Sequence, residues 1–254
     1  MENKIIPSVT IITAVKNGER FIEKTINTII NQKLVDLEYI IIDGNSSDNT
    51  CKIVETYKNN ITYFISEEDN GISHAFNKAL KIASGEFINF QGDGDGFTYD
   101  RAIYDLFQDV DINKFDIVCG RINRISCDEK IIFTSPYLKN FNKRDLLFKM
   151  NLPHQGLFMK KDLFSKFGLF DEKCKYAMDY DYLLRMYNNF PRVTFKNKII
   201  SNWREDGLGN NKEFEILEEY NYIKNNNKVA SEFILKIIHE WSKFKLIIKK
   251  MLNL

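Results

Sequence analysis

Few residues in this chain could cross-link it or cage a metal. It carries four cysteines (Cys51, Cys119, Cys127 and Cys174) and three histidines in 254 residues. The cysteines are scattered, none forms Cys-x-x-Cys, and no histidine stands at zinc-ligand spacing from them. Reduced thiols in a cytoplasmic setting are the economical reading. An excess of one charge is also missing. Lys and Arg number 36 against 35 Asp and Glu, and the net charge of +1 argues against nucleic acid as the main partner. No run approaches the roughly 20 apolar residues of a spanning helix. Across Met1–Gly18 the apolar stretch is broken by Pro7, Ser8 and Thr10, and no small-residue cleavage pattern follows, so a secretory leader is not expected. The expectation is a soluble or peripheral protein. Hydrophobic residues at 44% suffice for a sizeable core, in one large domain or a domain with a small appendage.

The first hundred residues alternate between two periodicities. Ser8–Val15 is a β-branched run of the kind that forms a buried strand, and Glu38–Asp43 is a second. Between them Phe21, Ile22, Thr25, Ile26, Ile29 and Ile30 recur at helical spacing. Thr50–Tyr57 predicts a helix, Ile61–Ser66 a strand, Ile72–Ala83 a helix and Glu86–Phe90 a fourth strand running into Gly92-Asp93-Gly94-Asp95-Gly96. Strands separated by helices imply a mainly parallel, doubly wound α/β sheet, whose ligands lie at the carboxyl ends of the strands. Asp43, Asp69 and the pair Asp93 and Asp95 all fall just after predicted strands, on that edge.

Beyond Ala102–Phe107 the pattern loosens. Ile117–Ile125 and Lys130–Thr134 alternate like paired strands, Asn151–Lys160 is a loop entering a strand, and Tyr180–Tyr187 is helical. Ile199–Asn210 ends in a glycine-bearing loop, Glu205-Asp206-Gly207-Leu208-Gly209. In residues 228–254, Phe233, Ile234, Ile237, Ile238, Trp241, Phe244, Ile248, Met251 and Leu252 follow helical spacing among lysines. A basic amphipathic helix of this kind lies on an anionic membrane, packs on its own domain, or pairs in a homodimer. The spacing leaves all three open.

Each acidic motif has two readings. Asp93-x-Asp95 among glycines offers hard oxygen ligands for Mg²⁺ or Mn²⁺ bridging a diphosphate, or is a solvated turn. An EF-hand is excluded, because the sixth position from Asp93 is Thr98 and the twelfth is Tyr104. The third glycine of a dinucleotide fingerprint and any Gly-Lys-Ser/Thr loop are missing. Asp43 accepts from an N–H of a nucleotide base or caps the next helix, for which Asp48 is better placed. Asp69-Asn70-Gly71 contacts a ribose or base, or is a β-turn. Asp179, flanked by Met178 and Tyr180, is a proton acceptor or a helix cap, while Asp181 pairs with Arg185 at i,i+4. His154 is a structural histidine or a ligand-side group.

In order along the chain, these segments resemble the inverting family-2 glycosyltransferases of the GT-A fold, and within them the colanic-acid-type enzymes of bacterial surface polysaccharide assembly. The matching stretches are Ile11–Asn17, Asp43-Gly44-x-Ser46-x-Asp48-x-Thr50, Ser66-Glu67-x-Asp69-x-Gly71-Ile72, and Gly85–Ile88 leading to Asp95. They continue through His154-Gln155, Phe167-Gly168-x-Phe170-Asp171 and Asp179-Tyr180-Asp181-x-x-x-Arg185. The resemblance covers about residues 7 to 210 and implies a glycosyltransferase domain over 1–227, with a nucleotide-binding half at 7–100 and an acceptor-side half at 101–227; the helical extension at 228–254 lies outside it.

The resemblance also implies roles. Thr13, Ala14, Val15, Asp43 and Asp69 line a pocket for a uridine diphosphate sugar. Asp95 holds Mn²⁺ or Mg²⁺, and Asp93 either shares the metal or contacts ribose. Asp179 is the catalytic base. His154, Asp181, Trp203, Arg204 and the Trp203–Gly209 loop face the diphosphate or the acceptor, a glycan or lipid-linked saccharide met at the inner face of the plasma membrane. Two alternatives share the architecture: a catalytically silent nucleotide-sugar-binding scaffold and a sugar nucleotidylyltransferase. The latter would open with a glycine-rich basic loop, of which Lys16-Asn17-Gly18-Glu19 is a poor version.

Overall fold

The computed structural model describes residues 6–205 and 212–252. They group into two compact units. The first lies within Met1–Phe141, Leu152–Leu169 and Pro191–Glu205, the second within Asn142–Asn151, Phe170–Phe190 and Asp206–Leu254. The grouping differs from the halves expected at about residue 100, because late strands return to the sheet begun by early ones.

The first unit opens as the apolar runs predict: β1 (Val9–Val15), α1 (Ile22–Ile30), β2 (Leu37–Asp43), α2 (Thr50–Thr56), β3 (Tyr63–Ser66), α3 (Ile72–Ile82) and β4 (Phe87–Gly92). The four strands pair in parallel in the order β3-β2-β1-β4. β1 and β4 are covered on both faces, which is why they read as continuous apolar runs rather than alternating ones. α1 sets Ile22, Ile26 and Ile29 into a core shared with Val9, Ile11, Tyr39, Ile41 and Phe87.

The rest of this unit is antiparallel and mixed. β5 (Gly96–Phe97) precedes α4 (Ala102–Phe107), and β6 (Ile117–Ile125) folds back on β7 (Ile131–Thr134). β8 (Leu157–Lys160) joins β4 to β6 antiparallel and leads into α5 (Lys161–Phe167), while the long β9 (Val193–Arg204) runs parallel to β6 and antiparallel to β5. The result is a single nine-stranded α/β sheet, parallel over its first four strands.

The second unit is helical: α6 (Met178–Arg185), α7 (Glu213–Asn226) and α8 (Glu232–Met251). The rings of Tyr180 on α6 and Tyr220 on α7 stack with centroids 4.1 Å apart. α8 starts at Ser231, whose hydroxyl accepts from the Ile234 N–H, and packs on α7 through Leu235, Ile238 and His239. Ile238 therefore belongs to the inner face, not to the stripe drawn from sequence spacing. Among the described residues no helix is long and apolar enough to cross a membrane.

Candidate active site

Register places the predicted edge. Val15 lies opposite Asp43, Asp43 opposite Ser66, and Ala14 opposite Gly92, so the carboxyl ends of β1 to β4 stand abreast. The chain adds β2 and β3 on one side of β1 and β4 on the other. The crevice between β1 and β4 is thus the switch point at which open α/β sheets bind ligands.

The loops after β1 and β2 are laced together, and the lacing explains the spacing Asp43-x-x-Ser46-x-Asp48-x-Thr50. The Ser46 N–H donates to Asp43 Oδ2 at 2.9 Å, and Ser46 Oγ in turn accepts from the Asn17 N–H at 2.7 Å. Asp48 accepts from the N–H groups of Thr50 and Glu19, and Thr50 Oγ1 accepts from the Gly18 N–H at 2.8 Å. Asp48 thereby serves the first turn of α2, the role for which Asp43 was the weaker candidate.

Asp43 itself is fully buried. Burial pushes its carboxyl up, but donors outweigh it: Ser46, the Ser66 hydroxyl at 2.7 Å and the Cys51 thiol at 3.3 Å hold it below the usual carboxylate range. Asp69 accepts from the Gly71 N–H at 2.9 Å, a turn closed by its side chain rather than by a backbone β-turn. Its other oxygen lies so near Gly44 that a Cβ there would be 2.6 Å away, so the Asp43 and Asp69 loops adjoin. Thr13 is buried, with Oγ1 at 3.1 Å from the Tyr39 hydroxyl. Burial, with the charge of Asp93 adding to it, pushes the Tyr39 phenol far above its ordinary value and keeps it neutral.

Asp93 and Asp95 occupy a turn pinned from α1. Thr25 Oγ1 accepts from the Gly94 N–H at 2.9 Å and donates to the Asp95 carbonyl at 2.8 Å. Gly94 has φ +85, and a Cβ there would come 2.7 Å from the Arg204 guanidinium. That guanidinium lies 3.5 Å over the Phe21 ring. Asp93 packs on Gly18, where an added Cβ would fall 2.7 Å from Asp93 Cγ. The Asp95 side chain is buried and takes three donors: Gly92 N–H at 3.0 Å, Gln155 Nε2 at 2.9 Å and Arg204 N–H at 2.9 Å. Burial nevertheless pushes it up to about 6, the donors only partly offsetting the loss of water.

Two carboxylates on one turn are the donor set a magnesium-type ion shares with substrate phosphates, which leave the rest of the shell to ligand and water. A cation beside Asp95 would also balance the buried charge. Among the described residues no three His, Cys, Asp or Glu gather into a closed metal cage.

His154 stacks on Phe90, centroids 5.4 Å apart at 17°, and its neighbour Gln155 is the residue that reaches Asp95. Gln155 is thus a site residue that sequence reasoning quoted in a motif without giving it a role. Its main-chain carbonyl accepts from Asn89 and Gln91 on β4, which fixes the segment against the strand that carries the acidic turn. Trp203 sits with the Arg124 guanidinium 6.0 Å from its ring. The remainder of the Trp203–Gly209 loop, from Asp206 on, lies outside the described residues.

In the helical unit Asp179 stands half-buried in the first turn of α6. The start of that helix is held by Glu219 of α7, whose carboxylate accepts from the N–H groups of Tyr176 at 3.0 Å and Ala177 at 2.9 Å. Asp181 is buried and paired with Arg185 at 2.7 Å, as the i,i+4 spacing predicts, and accepts from Asn227 at 2.9 Å. Glu219 and Asn227 were missed because α7 was not anticipated.

Comparison with known proteins agrees with this architecture. The profile of Glycosyl transferase family 2 matches residues 10–166. The chain is 27% identical to the uncharacterized glycosyltransferase EpsJ of Bacillus subtilis (strain 168), over 80% of its own length and 62% of that protein's. It is 23% identical to the PGL/p-HBAD biosynthesis glycosyltransferase of Mycobacterium bovis (strain BCG / Pasteur 1173P2), over 93% and 92% of the two chains. Among solved structures, S. aureus TarS 1-349 in complex with UDP-GlcNAc aligns over 91% of this chain and 70% of its own, with TM-score 0.68 and 20% identity. The mannosyltransferase PcManGT from Pyrobaculum calidifontis, in complex with GDP-Man and Mn2+, aligns over 94% and 70% with TM-score 0.66 and 16% identity. These structures share the GT-A fold with it. With residues 10–166, more than half its length, matched by the family, the chain belongs to glycosyl transferase family 2 and is a glycosyltransferase.

Proposed function

We propose that the chain transfers a sugar, with inversion, from a uridine diphosphate sugar to a hydroxyl of a glycan or lipid-linked acceptor in surface polysaccharide assembly. The observation that carries this reading is the registered edge at the β1/β4 switch point, where Asp43, Asp69 and the Asp93–Asp95 turn converge on Gly18 and Gly44. Thr13, Ala14 and Val15 form the floor of the nucleotide pocket, and Asp43 and Asp69 address base and ribose. Asp95, with Asp93 beside it, would hold Mn²⁺ or Mg²⁺, which when bound neutralises charge on the leaving diphosphate. Arg204, stacked on Phe21 beside that turn, adds a fixed positive group, and His154 and Trp203 border it. Asp179 takes the proton of the attacking hydroxyl, and Asp181 braces α6 through Arg185. A single displacement with one base inverts the anomeric centre.

The test is a thermal-shift series with UDP and GDP, each with and without Mn²⁺, followed by turnover of Asp179→Asn. Stabilisation by UDP that requires the metal supports the pocket. A loss of about 10²–10⁴-fold in transfer with UDP binding intact supports the base. Turnover near wild type in Asp179→Asn places the base elsewhere, and metal-independent binding removes the ligand role of Asp95. Pyrophosphate exchange with the donor alone would instead indicate a nucleotidylyltransferase.

A further inference from the structure

α8 has two apolar faces, and only one is covered. Leu235, Ile238 and His239 turn inward to α7, and Lys243 and Lys250 bridge to Glu218 at 2.7 Å and Glu213 at 3.4 Å on that helix. The opposite face carries Ile234, Ile237, Trp241, Phe244, Ile248 and Met251 at alternating steps of three and four, all exposed, with Trp241 51% and Phe244 53% accessible. Phe233 and Ile247 widen it. Lys245 and Lys249 border the stripe on one side, Lys245 lying 5.0 Å from the Trp241 ring. Lys236 stands on the other border together with Glu232 and Glu240.

We propose that this outer face of α8 is a docking surface for an anionic phospholipid membrane, on which the helix lies in the plane of the interface. Three observations favour lipid over a second copy of the chain. The apolar face is wider than the two positions in seven that a paired-helix seam uses. It places flat aromatic rings, Trp241 and Phe244, stacked with centroids 6.0 Å apart, where an interface accepts amphipathic rings. One of its two borders, Lys245 and Lys249, is basic and matches negative headgroups, while the other mixes Lys236 with Glu232 and Glu240, and Lys243 and Lys250 are committed to α7. At 20 residues the helix is about 30 Å long, enough to engage many lipids at once.

The experiment is sedimentation of the 254-residue chain with vesicles of phosphatidylcholine alone, or with about a third phosphatidylglycerol. Binding to the anionic vesicles that weakens with added salt, with a blue shift of tryptophan emission absent from Trp241→Phe, is the expected result. The double variant Trp241→Ser, Phe244→Ser should lose roughly tenfold or more in vesicle affinity, and Lys245→Glu, Lys249→Glu should lose the preference for anionic lipid. Both sites are exposed, and circular dichroism with a thermal melt verifies that each variant is folded. Failure of the wild type to bind anionic vesicles, or equal binding by the folded variants, overturns the proposal. So does a concentration-dependent dimer abolished by the apolar double variant, which would assign the face to a second copy. None of these readouts depends on sugar transfer.

Discussion

The two strands flanking β1 each end in a carboxylate withdrawn from water, and the two carboxylates respond in opposite ways. Asp43 after β2 is held below the usual carboxylate range, while Asp95 after β4 is pushed up to about 6. Burial acts upward on both. The difference lies both in depth and in donors, because Asp95 lies deeper beneath the surface than Asp43. Asp43 collects a backbone N–H, two hydroxyls and a thiol from its own loop and the neighbouring strand end. Asp95 relies on two backbone N–H groups and one amide side chain. The first site is electrostatically complete within its own loops, whereas at the second the loss of water outweighs three donors and the charge of nearby Arg204. The balance between lost water and gained donors decides the direction for each carboxylate.

Three changes would break or sharpen this contrast. Asp43→Ala should have the largest effect, costing about 3 kcal/mol in denaturant melts, because it removes the charged acceptor that four part-buried hydrogen bonds share. Stability equal to wild type would mean that the network does not hold the loops. The pH dependence comes next. Between the ordinary value of 3.8 and about 6 the folded chain keeps a proton on Asp95 that the unfolded chain has released, so stability falls as pH rises through this window and then levels, by roughly 3 kcal/mol. Asp95→Asn should lack that loss, and Mn²⁺ with UDP should suppress it in the wild type. Asp43 runs the other way: its contribution is complete above the ordinary value and is lost as pH falls through its lowered one. Parallel pH profiles for Asp95→Asn and Asp43→Asn would erase the distinction. The smallest effect is expected for Gly18→Ala, about 1–2 kcal/mol, because the new methyl meets Val15 and Asp93. It should weaken UDP binding in a thermal-shift assay more than it lowers the melting temperature without ligand.

The parallel part of the sheet was legible because β1 and β4 are covered on both faces and its helices keep one apolar stripe. The acidic edge followed from it. What escaped had no such pattern. β5 is two residues long, and β9 carries Lys196, Asn197 and Lys198 in mid-strand, where it bulges against its partner β6. α7 fully buries only Ile223 and Lys224, so its apolar stripe is faint. The spacing of Asp43, Ser46, Asp48 and Thr50 was readable as a motif, but its reason, the lacing to Asn17, Gly18 and Glu19, required coordinates. Gln155 reaches Asp95 across 60 residues, a partnership that no local signal announces.

The pairing of β9 with β5 and of Arg204 with Asp95 has a bearing on how the chain is made. The first ninety or so residues contain all four parallel strands and the helices between them, and they leave the ribosome first. Asp95 emerges directly behind them, yet its side-chain partner Gln155 comes 60 residues later and the Arg204 N–H comes 109 residues later. During synthesis the acidic turn therefore stays open to water after the loops that follow β1 and β2 have emerged. The charge is buried only when the end of β9 arrives.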